Sequence, residues 1–190
     1  MVAIRYNLLM DQTAVPVTIR QASRADAQAL SALAVETYTA AFGHSMSAED
    51  LSAQLAKTLT PARCEQYIKE DTVLLAEVDG FLAGYVQFGA SGITDCAELR
   101  RLYVLARYQN QGIGAQLMEA ALACPVLCAA LRIQLDVWEH NHGAIRFYER
   151  FGFVVVGEQK FTVASGAETS LDLIMVRTNP SSPHPGNGSR

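Results

Sequence analysis

The sequence predicts an α/β domain in which a mixed β-sheet carries helices on both faces. Apolar residues recur at helical spacing in several segments, and strand-like segments bounded by turn residues lie between them. In the second half of the chain, strands and helices alternate, as is typical of this fold class. Half of the residues are apolar, which is enough to fill a core without disulfide bonds.

The first half of the predicted domain contains a strand, helical stretches and a hairpin. Ser23 and Ser47 are residues preferred at a helix N-cap, and Asp50 stands where it completes a capping box with Ser47. Asp79 and Gly80 form a dipeptide typical of two-residue hairpin turns. The expected elements are a strand at 15–20, helices beginning after 23 and 47, a helix at 62–69, and hairpin strands at 72–78 and 81–88.

The second half of the predicted domain alternates between strands and helices before a final pair of strands. Gly152 suits the left-handed position that follows a helix. The expected elements are a strand at 98–105, a helix at 112–124, a strand at 131–137, a helix at 141–151, and strands at 154–163 and 169–176.

The predicted domain covers residues 16–178. Residues 1–15 lack clear periodicity and are expected to form an N-terminal extension. Residues 179–190 are rich in Pro, Ser, Gly and Asn, so a disordered tail is expected there. Neither a linker nor a repeat divides the part between them, and we therefore expect a single domain.

Charge and cysteine usage limit the classes of function. The net charge is −4, and no stretch is rich in Lys or Arg, which argues against a nucleic-acid partner. The four cysteines lack metal-binding spacing, so we expect reduced thiols and no metal site. No segment has the length of a membrane span, and the N-terminal apolar run, Leu8-Leu9-Met10, is too short for a signal peptide, so none is expected. A cytoplasmic protein with no membrane partner is expected.

A loop at residues 109–115 holds the main chemical signal. A predicted strand leads into it, and Gly112 and Gly114 open an amphipathic helix. Glycine lets a ligand approach the backbone closely, and the first helical turn favours an anion such as a pyrophosphate. For two glycines alone, however, a tight turn is the simpler interpretation.

Two other nucleotide-binding motifs fit this loop less well. A Walker A loop needs Gly-Lys-Ser/Thr at its end, and Ile113-Gly114-Ala115 supplies no lysine. A Rossmann fingerprint needs a third Gly or Ala where this chain has Leu117. Asp136 lies where a ribose-binding acid would sit, but the loop at 104–112 is too long for the tight Rossmann turn.

Two sequence blocks match the motifs of a known protein family. The first has the form Gln/Arg-x-x-Gly-x-Gly/Ala and matches residues 109–114, directly after a Leu-Tyr-Val strand end. The second has the form Asn-x-x-Ala-x-x-Phe-Tyr-x-x-x-Gly-Phe. Its matching residues are Asn141, Ala144, Phe147, Tyr148, Gly152 and Phe153. Both blocks occur in the order expected for the GNAT family of N-acetyltransferases, and the resemblance to that family extends over most of residues 16–178.

The resemblance implies a GNAT-type, mostly antiparallel sheet and an acetyl-CoA site where two parallel strands separate. The pantetheine arm would pair with the backbone of one strand, and the pyrophosphate would bind the loop amides. Asn141 would contact the pantetheine or cap its own helix, a common use of Asn. The implied cofactor-binding residues are Leu102, Tyr103, Val104, Gln109, Asn110, Gln111, Gly112, Ile113, Gly114, Ala115 and Asn141.

Acetyl transfer to an amine needs an acid for the departing thiolate and a base for the ammonium. The resemblance places the acid at Tyr148, and the alternative is that Tyr148 is a core residue. The helical spacing of Tyr148 with other apolar residues of its segment is compatible with both roles.

For the base, Glu98 is the first candidate. Because side chains alternate along a strand, we expect Glu98 to share a face with Leu102 and Val104. A salt bridge with a neighbouring arginine is its alternative role. The next candidates are Asp136, Glu139 and His140, and the loop of His44 is a candidate wall of the acceptor pocket.

Residues 42–51, 137–141 and 171–175 are similar to bacterial spermidine/spermine acetyltransferases, although residues 163–170 are less acidic than expected for that group. The prediction is therefore an N-acetyltransferase that uses acetyl-CoA and a small primary amine, with a polyamine as one candidate. The alternatives are a protein or peptide N-acetyltransferase and a CoA-binding sensor without efficient chemistry. The resemblance is also compatible with a homodimer formed through the C-terminal strands.

Overall fold

The computed structural model describes residues 16–162 and 168–180. The strands are β1 (Val17–Gln21), β2 (Thr72–Val78), β3 (Phe81–Ala90), β4 (Cys96–Val104), β5 (Arg132–Trp138), β6 (Val154–Thr162) and β7 (Glu168–Thr178). The helices are α1 (Ala27–Phe42), α2 (Ala48–Thr58), α3 (Pro61–Glu70), α4 (Ile113–Ala123), α5 (Pro125–Ala129) and α6 (His142–Arg150). None of the described helices is both long and apolar enough to cross a membrane.

These strands form one sheet in the order β1-β2-β3-β4-β5-β7-β6. β4 and β5 pair in parallel, and every other neighbouring pair is antiparallel. Buried apolar side chains of α4, α5 and α6 cover one face, and those of α1 and α3 cover the other. The predicted α/β fold, a mixed and mostly antiparallel sheet with helices on both faces, is confirmed.

Local sequence signals fix several element ends. The Ser47 hydroxyl accepts a hydrogen bond from the Asp50 amide at 3.0 Å, which caps α2 as predicted. Asp79 and Gly80 both have left-handed φ angles, 51° and 81°, in the turn between β2 and β3. Gly152 follows α6 with a φ of 82°, the conformation that a C-terminal cap requires.

A short helix, α5, is absent from the sequence prediction. Pro125 cannot continue α4 and forces the preceding Cys124 into an extended conformation, so α4 ends there and a new helix starts at the proline.

Asn179, expected in the disordered tail, is instead buried beside α5. Its amide donates to the carbonyls of Leu127 and Ala130 at 2.7 and 2.8 Å. The predicted extension at 1–15 and residues 181–190 lie outside the described residues.

β4 contains a bulge at Arg100. Leu99 is level with Phe88 of β3, and Arg101 is level with the adjacent Gln87, which leaves Arg100 without an opposite residue. An extra residue of this kind interrupts the alternation of side chains along a strand. Odd-numbered residues before the bulge and even-numbered residues after it therefore face the same side of the sheet.

The bulge changes the position predicted for Glu98. Leu99 belongs to the core beneath α4, and Leu102 and Val104 pack against the same core, although an even and an odd position would normally face opposite ways. Glu98, next to Leu99, consequently points to the other face. The prediction that Glu98 shares a face with Leu102 and Val104 is wrong.

β4 and β5 pair only near their starts. Residues 96–98 are level with residues 132–134, and no further pair forms between these two strands. Beyond that point, the edge of β4 that faces β5 has no strand partner among the described residues. The separation of two parallel strands implied by the family resemblance is therefore present.

Candidate active site

A cavity of about 860 Å³ opens where β4 and β5 separate. Its walls come from α1, α2, β4, α4, β5, α6 and β7. We call the residues of the loop before α4 and of its first turn, 109–115, the loop wall. We call Asp136, Trp138 and Asp172, which come from β5 and β7, the acidic wall.

The loop wall presents backbone amides that no side chain caps. Gly112 is the N-cap of α4 in a left-handed conformation with a φ of 79°. Gln109, Asn110 and residues 112–115 line the cavity. Because the first amides of a helix lack partners within the helix, this wall suits an anionic ligand.

Two glutamines hold the loop in place. The side-chain amide of Gln109 donates to the Val104 carbonyl at 3.1 Å. The side-chain amide of Gln111 donates to the Arg107 carbonyl at 3.0 Å, and Gln111 does not line the cavity. Both side chains thus stabilise the loop, which leaves the backbone to contact a ligand.

Gly114 faces the cavity without being required by the packing of the protein. A Cβ atom built there would lie 3.7 Å from the ring of Phe147 and 3.8 Å from Leu102, which are ordinary contacts. The absence of a side chain therefore leaves space in the cavity, where a ligand can come close to the backbone.

Leu102, Tyr103 and Val104 are among the β4 residues that line the cavity. On one side their backbone pairs with β3, and the side facing β5 is the unpartnered edge described above. The Tyr103 ring stacks on Tyr85 at 5.8 Å on the face covered by α1. Burial raises the pKa of Tyr103 well above its ordinary value. An extended, amide-containing ligand could pair with this edge as an added strand does.

Asn141 and Tyr148 bring α6 to the cavity. Asn141 caps α6, since its side-chain oxygen accepts a hydrogen bond from the Ala144 amide at 3.1 Å. Tyr148 is 8% exposed and packs edge-on against Phe147 and Phe153. Burial raises the pKa of Tyr148, so its hydroxyl keeps its proton at neutral pH. Among the described residues, that hydroxyl has no hydrogen-bond partner.

Glu98 lies apart from this arrangement. Its carboxylate pairs with the guanidinium of Arg100, and Glu98 is not one of the residues that line the cavity. Arg100 also donates to Asp71 at 3.0 Å. The salt bridge named above as the alternative role of Glu98 is therefore present.

Among the described residues, three carboxylates line the cavity: Asp136 and Asp172 of the acidic wall, and Glu36 of α1, which pairs with Arg107 at 3.0 Å. Burial raises the pKa of Asp136, and the hydrogen bond from the Gln159 amide at 2.7 Å partly offsets that effect. Burial also raises the pKa of Asp172, and the negative charges of Asp136 and Glu139 add to this. A carboxylate with a raised pKa is a stronger proton acceptor than an exposed one.

Sequence reasoning named Asp136 as a candidate base but missed Asp172. No local motif marks Asp172, since the pairing of β5 with β7 brings it to the cavity. Glu139 and His140, the other candidates, do not line the cavity. Within the described ranges, acids, histidines and cysteines form no group that could hold a metal ion.

Aromatic rings border the acidic wall. The Trp138 ring lies 6.1 Å from those of Phe42 and His44. Tyr38 contacts Phe42 at 4.8 Å and lines the cavity together with it and Trp138. Carboxylates beside aromatic faces form a surface that attracts cationic groups such as ammonium.

The chain resembles known proteins in sequence and in fold. The chain matches the model of the Acetyltransferase (GNAT) family over residues 28–153. It is 33% identical over 154 residues to an uncharacterized N-acetyltransferase of Mycobacterium bovis, an alignment that covers 80% of this chain and 97% of the relative. A stretch of 64 residues is 39% identical to the spermine/spermidine N(1)-acetyltransferase of Bacillus subtilis and covers 33% of this chain and 42% of that enzyme.

Among solved structures, the PaiA N-acetyltransferase of Thermoplasma acidophilum in complex with coenzyme A has a similar fold. The TM-score is 0.73 at 24% sequence identity, and the match covers 86% of this chain and 99% of that chain. The family match includes the strand, loop and helix from β4 to α4 and all of α6. The chain therefore belongs to the Acetyltransferase (GNAT) family and is an acyltransferase.

Proposed function

We propose that this chain transfers the acetyl group of acetyl-CoA to a primary amine of a small substrate. The observation that carries the proposal is one cavity that joins an uncapped helix N-terminus, an unpaired strand edge and a protonated tyrosine. The coenzyme A bound to the similar PaiA enzyme supports the choice of cosubstrate.

The chemistry of the cavity fits acetyl-CoA, which supplies an activated acyl group as a thioester. The backbone amides of Ile113, Gly114 and Ala115 would hold the pyrophosphate, since they lie in the first turn of α4. The β4 edge from Leu102 to Val104 would pair with the amides of the pantetheine arm. Asn141 would help to position the arm from the N-terminus of α6.

Tyr148 would act as the general acid. As the amine nitrogen forms its bond to the acyl carbon and the carbon–sulfur bond breaks, Tyr148 donates its phenolic proton to the thiolate sulfur. Its raised pKa supports this role, because the proton is still present at neutral pH.

We assign the base to Asp136 and Asp172 in preference to Glu98. The two aspartates line the cavity, whereas Glu98 is engaged by Arg100. Their raised pKa values make both carboxylates stronger acceptors for the proton of an ammonium than exposed aspartates are. The positioning of the amine beside the thioester would supply much of the remaining acceleration.

A polyamine is one candidate acceptor. The partial identity with the spermine/spermidine acetyltransferase of Bacillus subtilis and the acidic wall support it. A peptide or protein amine is the alternative within the same reaction class.

We also propose a homodimer formed through the C-terminal strands. β6 is the last strand of the sheet, and Val154, Val155 and Val156 on it are 60%, 48% and 60% exposed. Consecutive exposed valines on an edge strand favour pairing with a second copy. Light scattering coupled to gel filtration should give twice the monomer mass, and Val155→Lys should return the monomer.

The experiment that tests the reaction is release of free CoA thiol from acetyl-CoA in the presence of an amine panel. The panel contains spermidine, spermine, other small amines and short peptides. Turnover with small amines supports the proposal. Tight CoA binding by calorimetry without turnover of any acceptor would instead indicate a CoA-binding sensor.

A further inference from the structure

Arg101 is a half-buried cation without a carboxylate partner among the described residues. Its Nη1 donates to the side-chain oxygen of Gln87 at 2.7 Å, and its guanidinium carbon lies 4.7 Å from the centre of the Tyr67 ring. The adjacent Arg100, in contrast, pairs with both Asp71 and Glu98. A charge withdrawn from water is normally balanced by an opposite charge. Arg101 can therefore accept an anionic partner.

The guanidinium of Arg101 is held in position. Gln87 is 2% exposed, and its amide nitrogen donates to Asp71 at 2.6 Å, so its oxygen is fixed towards Arg101. The Tyr67 ring covers the guanidinium with a cation–π contact. Neither partner carries a negative charge, so both orient Arg101 without neutralising it.

Arg101 faces the same cavity as the acidic wall. The pKa of Tyr38 is raised mainly by burial. The positive charge of Arg101 lowers this pKa and the negative charge of Asp172 raises it, so both side chains lie close enough to Tyr38 to affect its ionisation. Both signs of charge therefore act on one part of the cavity, near Tyr38. A ligand that only carries cations would satisfy Asp172 and would be repelled by Arg101.

We propose that the acceptor amine also carries a carboxylate, which Arg101 binds while the amine lies towards Asp136 and Asp172. The inference rests on the proposed function and narrows its acceptor to molecules that resemble amino acids, in preference to polyamines. A guanidinium has five N–H donors in a planar fork, so the donors that Gln87 does not use can hold a carboxylate. Arg101 is thus a specificity-determining residue.

Matched acceptors test the inference directly. Lysine differs from cadaverine, and ornithine from putrescine, by one carboxylate. We expect the kcat/KM for CoA release to be about 10- to 100-fold higher with each amino acid than with its diamine, the range that charge-assisted hydrogen bonds supply. Equal values, or a preference for the diamines, would overturn the inference and leave the proposed acetyltransferase reaction intact.

Variants of Arg101 separate recognition from folding. In Arg101→Gln the ratio of kcat/KM for lysine to kcat/KM for cadaverine should fall towards one. Arg101→Lys keeps the positive charge and should retain part of the preference for lysine. Arg24→Gln is the matched control, because it removes an arginine that is 83% exposed and pairs with Glu65 outside the cavity. An unchanged ratio in a folded Arg101→Gln protein contradicts the inference.

Binding provides a readout that does not depend on turnover. Lysine and cadaverine are titrated by calorimetry into the CoA-saturated protein. Lysine that binds more tightly than cadaverine to the wild type, but not to Arg101→Gln, supports the carboxylate site whether or not an acceptor reacts. If lysine binds in this way and no acceptor reacts, the proposed function is wrong and the carboxylate site still stands. Equal binding of the two ligands overturns the carboxylate site.

Discussion

Asp136 of β5 and Asp172 of β7 project from the same face of the sheet into one cavity. Asp136 is level with Ile174 and Trp138 is level with Asp172, which places the two aspartates on diagonal positions of an antiparallel pair. Their negative charges lie close enough for Asp136 to raise the pKa of Asp172, in addition to the effect of burial. Ionisation of Asp136 therefore disfavours ionisation of Asp172.

Asp136→Asn should shift the acid limb of the pH profile. Removing the negative charge of Asp136 lowers the pKa of Asp172, so the decline of kcat/KM on acidification should begin at lower pH, although kcat/KM at neutral pH falls. Initial rates of CoA release from pH 5 to 9 measure this. Glu119→Gln, on the exposed side of α4, should keep the wild-type profile. An unmoved acid limb in Asp136→Asn would remove the aspartate pair from the proton transfer.

Asp136→Asn should also stabilise the fold at neutral pH. Burial raises the pKa of Asp136 in the folded protein, so the ionised side chain is less favourable in the folded than in the unfolded state. The stability that neutral Asp136 contributes is therefore present at low pH and is lost as the pH rises through the raised pKa. Asn carries no charge and can still accept the hydrogen bond from Gln159. We expect a higher Tm than the wild type at pH 7, with a difference that shrinks as the pH falls towards 4. Thermal unfolding across this range measures it, and a lower Tm at pH 7 would contradict the assigned cost of burial.

The local signals of the fold were predictable because each depends on neighbouring residues. Gly152 is one such residue, since only the end of its own helix determines its left-handed conformation. The bulge at Arg100 was not predictable, because the register with β3 creates it. That register reversed the face of Glu98, and a correct strand prediction therefore led to a wrong position.

The parts of the candidate site that depend on neighbouring residues were also predictable, and the parts that depend on strand pairing were not. The loop wall follows from one contiguous segment, 109–115, so its glycines were found from sequence. Asp172 and Arg101 reach the cavity only through strand pairing, Asp172 with β5 and Arg101 with β3. No spacing along the chain links them to the loop. Of the residues that would recognise an acceptor, sequence reasoning therefore found Asp136 but missed Asp172 and Arg101.

Asp26→Asn should destabilise the protein, with a larger loss of stability at neutral pH than at strongly acidic pH. The Asp26 carboxylate accepts hydrogen bonds from Arg20 and from the Ser23 amide, and the bond from Arg20 is the main reason its pKa is held well below the ordinary value. This stabilisation is lost as the pH falls through the lowered pKa. We expect a loss of about 1–3 kcal/mol at pH 7 in urea unfolding, the range of charged hydrogen bonds. Arg24→Gln, at an exposed ion pair, should change stability by less than about 0.5 kcal/mol. A loss as large in Arg24→Gln as in Asp26→Asn would contradict this ranking.

Gly114→Ala should weaken CoA binding without harming the fold. The new methyl group makes ordinary contacts with the protein, and Ala is favoured over Gly within a helix by about 1 kcal/mol, so the Tm should be unchanged or higher. The methyl group would occupy space that the bound pyrophosphate needs, and we expect the Kd for CoA by calorimetry to rise about tenfold, equivalent to about 1.4 kcal/mol.

Gly112→Ala is the contrasting variant, since its φ of 79° strains any residue with a Cβ atom by about 1–2 kcal/mol and should lower the Tm. Wild-type affinity for CoA in a folded Gly114→Ala protein would place the pyrophosphate elsewhere.

Tyr148→Phe should abolish most of the turnover while the protein still folds and binds CoA. Within the described residues the hydroxyl has no hydrogen-bond partner, so its removal leaves no protein group unsatisfied and the Tm should stay close to that of the wild type. If Tyr148 donates the proton to the leaving thiolate, kcat should fall by about 10²- to 10⁴-fold, the usual contribution of a general acid.

Tyr85→Phe is the matched control, because Tyr85 is also buried but belongs to the opposite core and does not line the cavity. It should retain the wild-type kcat, since a phenol outside the cavity cannot reach the sulfur. A kcat of Tyr148→Phe within about twofold of the wild type, far from the general-acid range, would make Tyr148 a core residue. The thiolate would then have to take its proton from water.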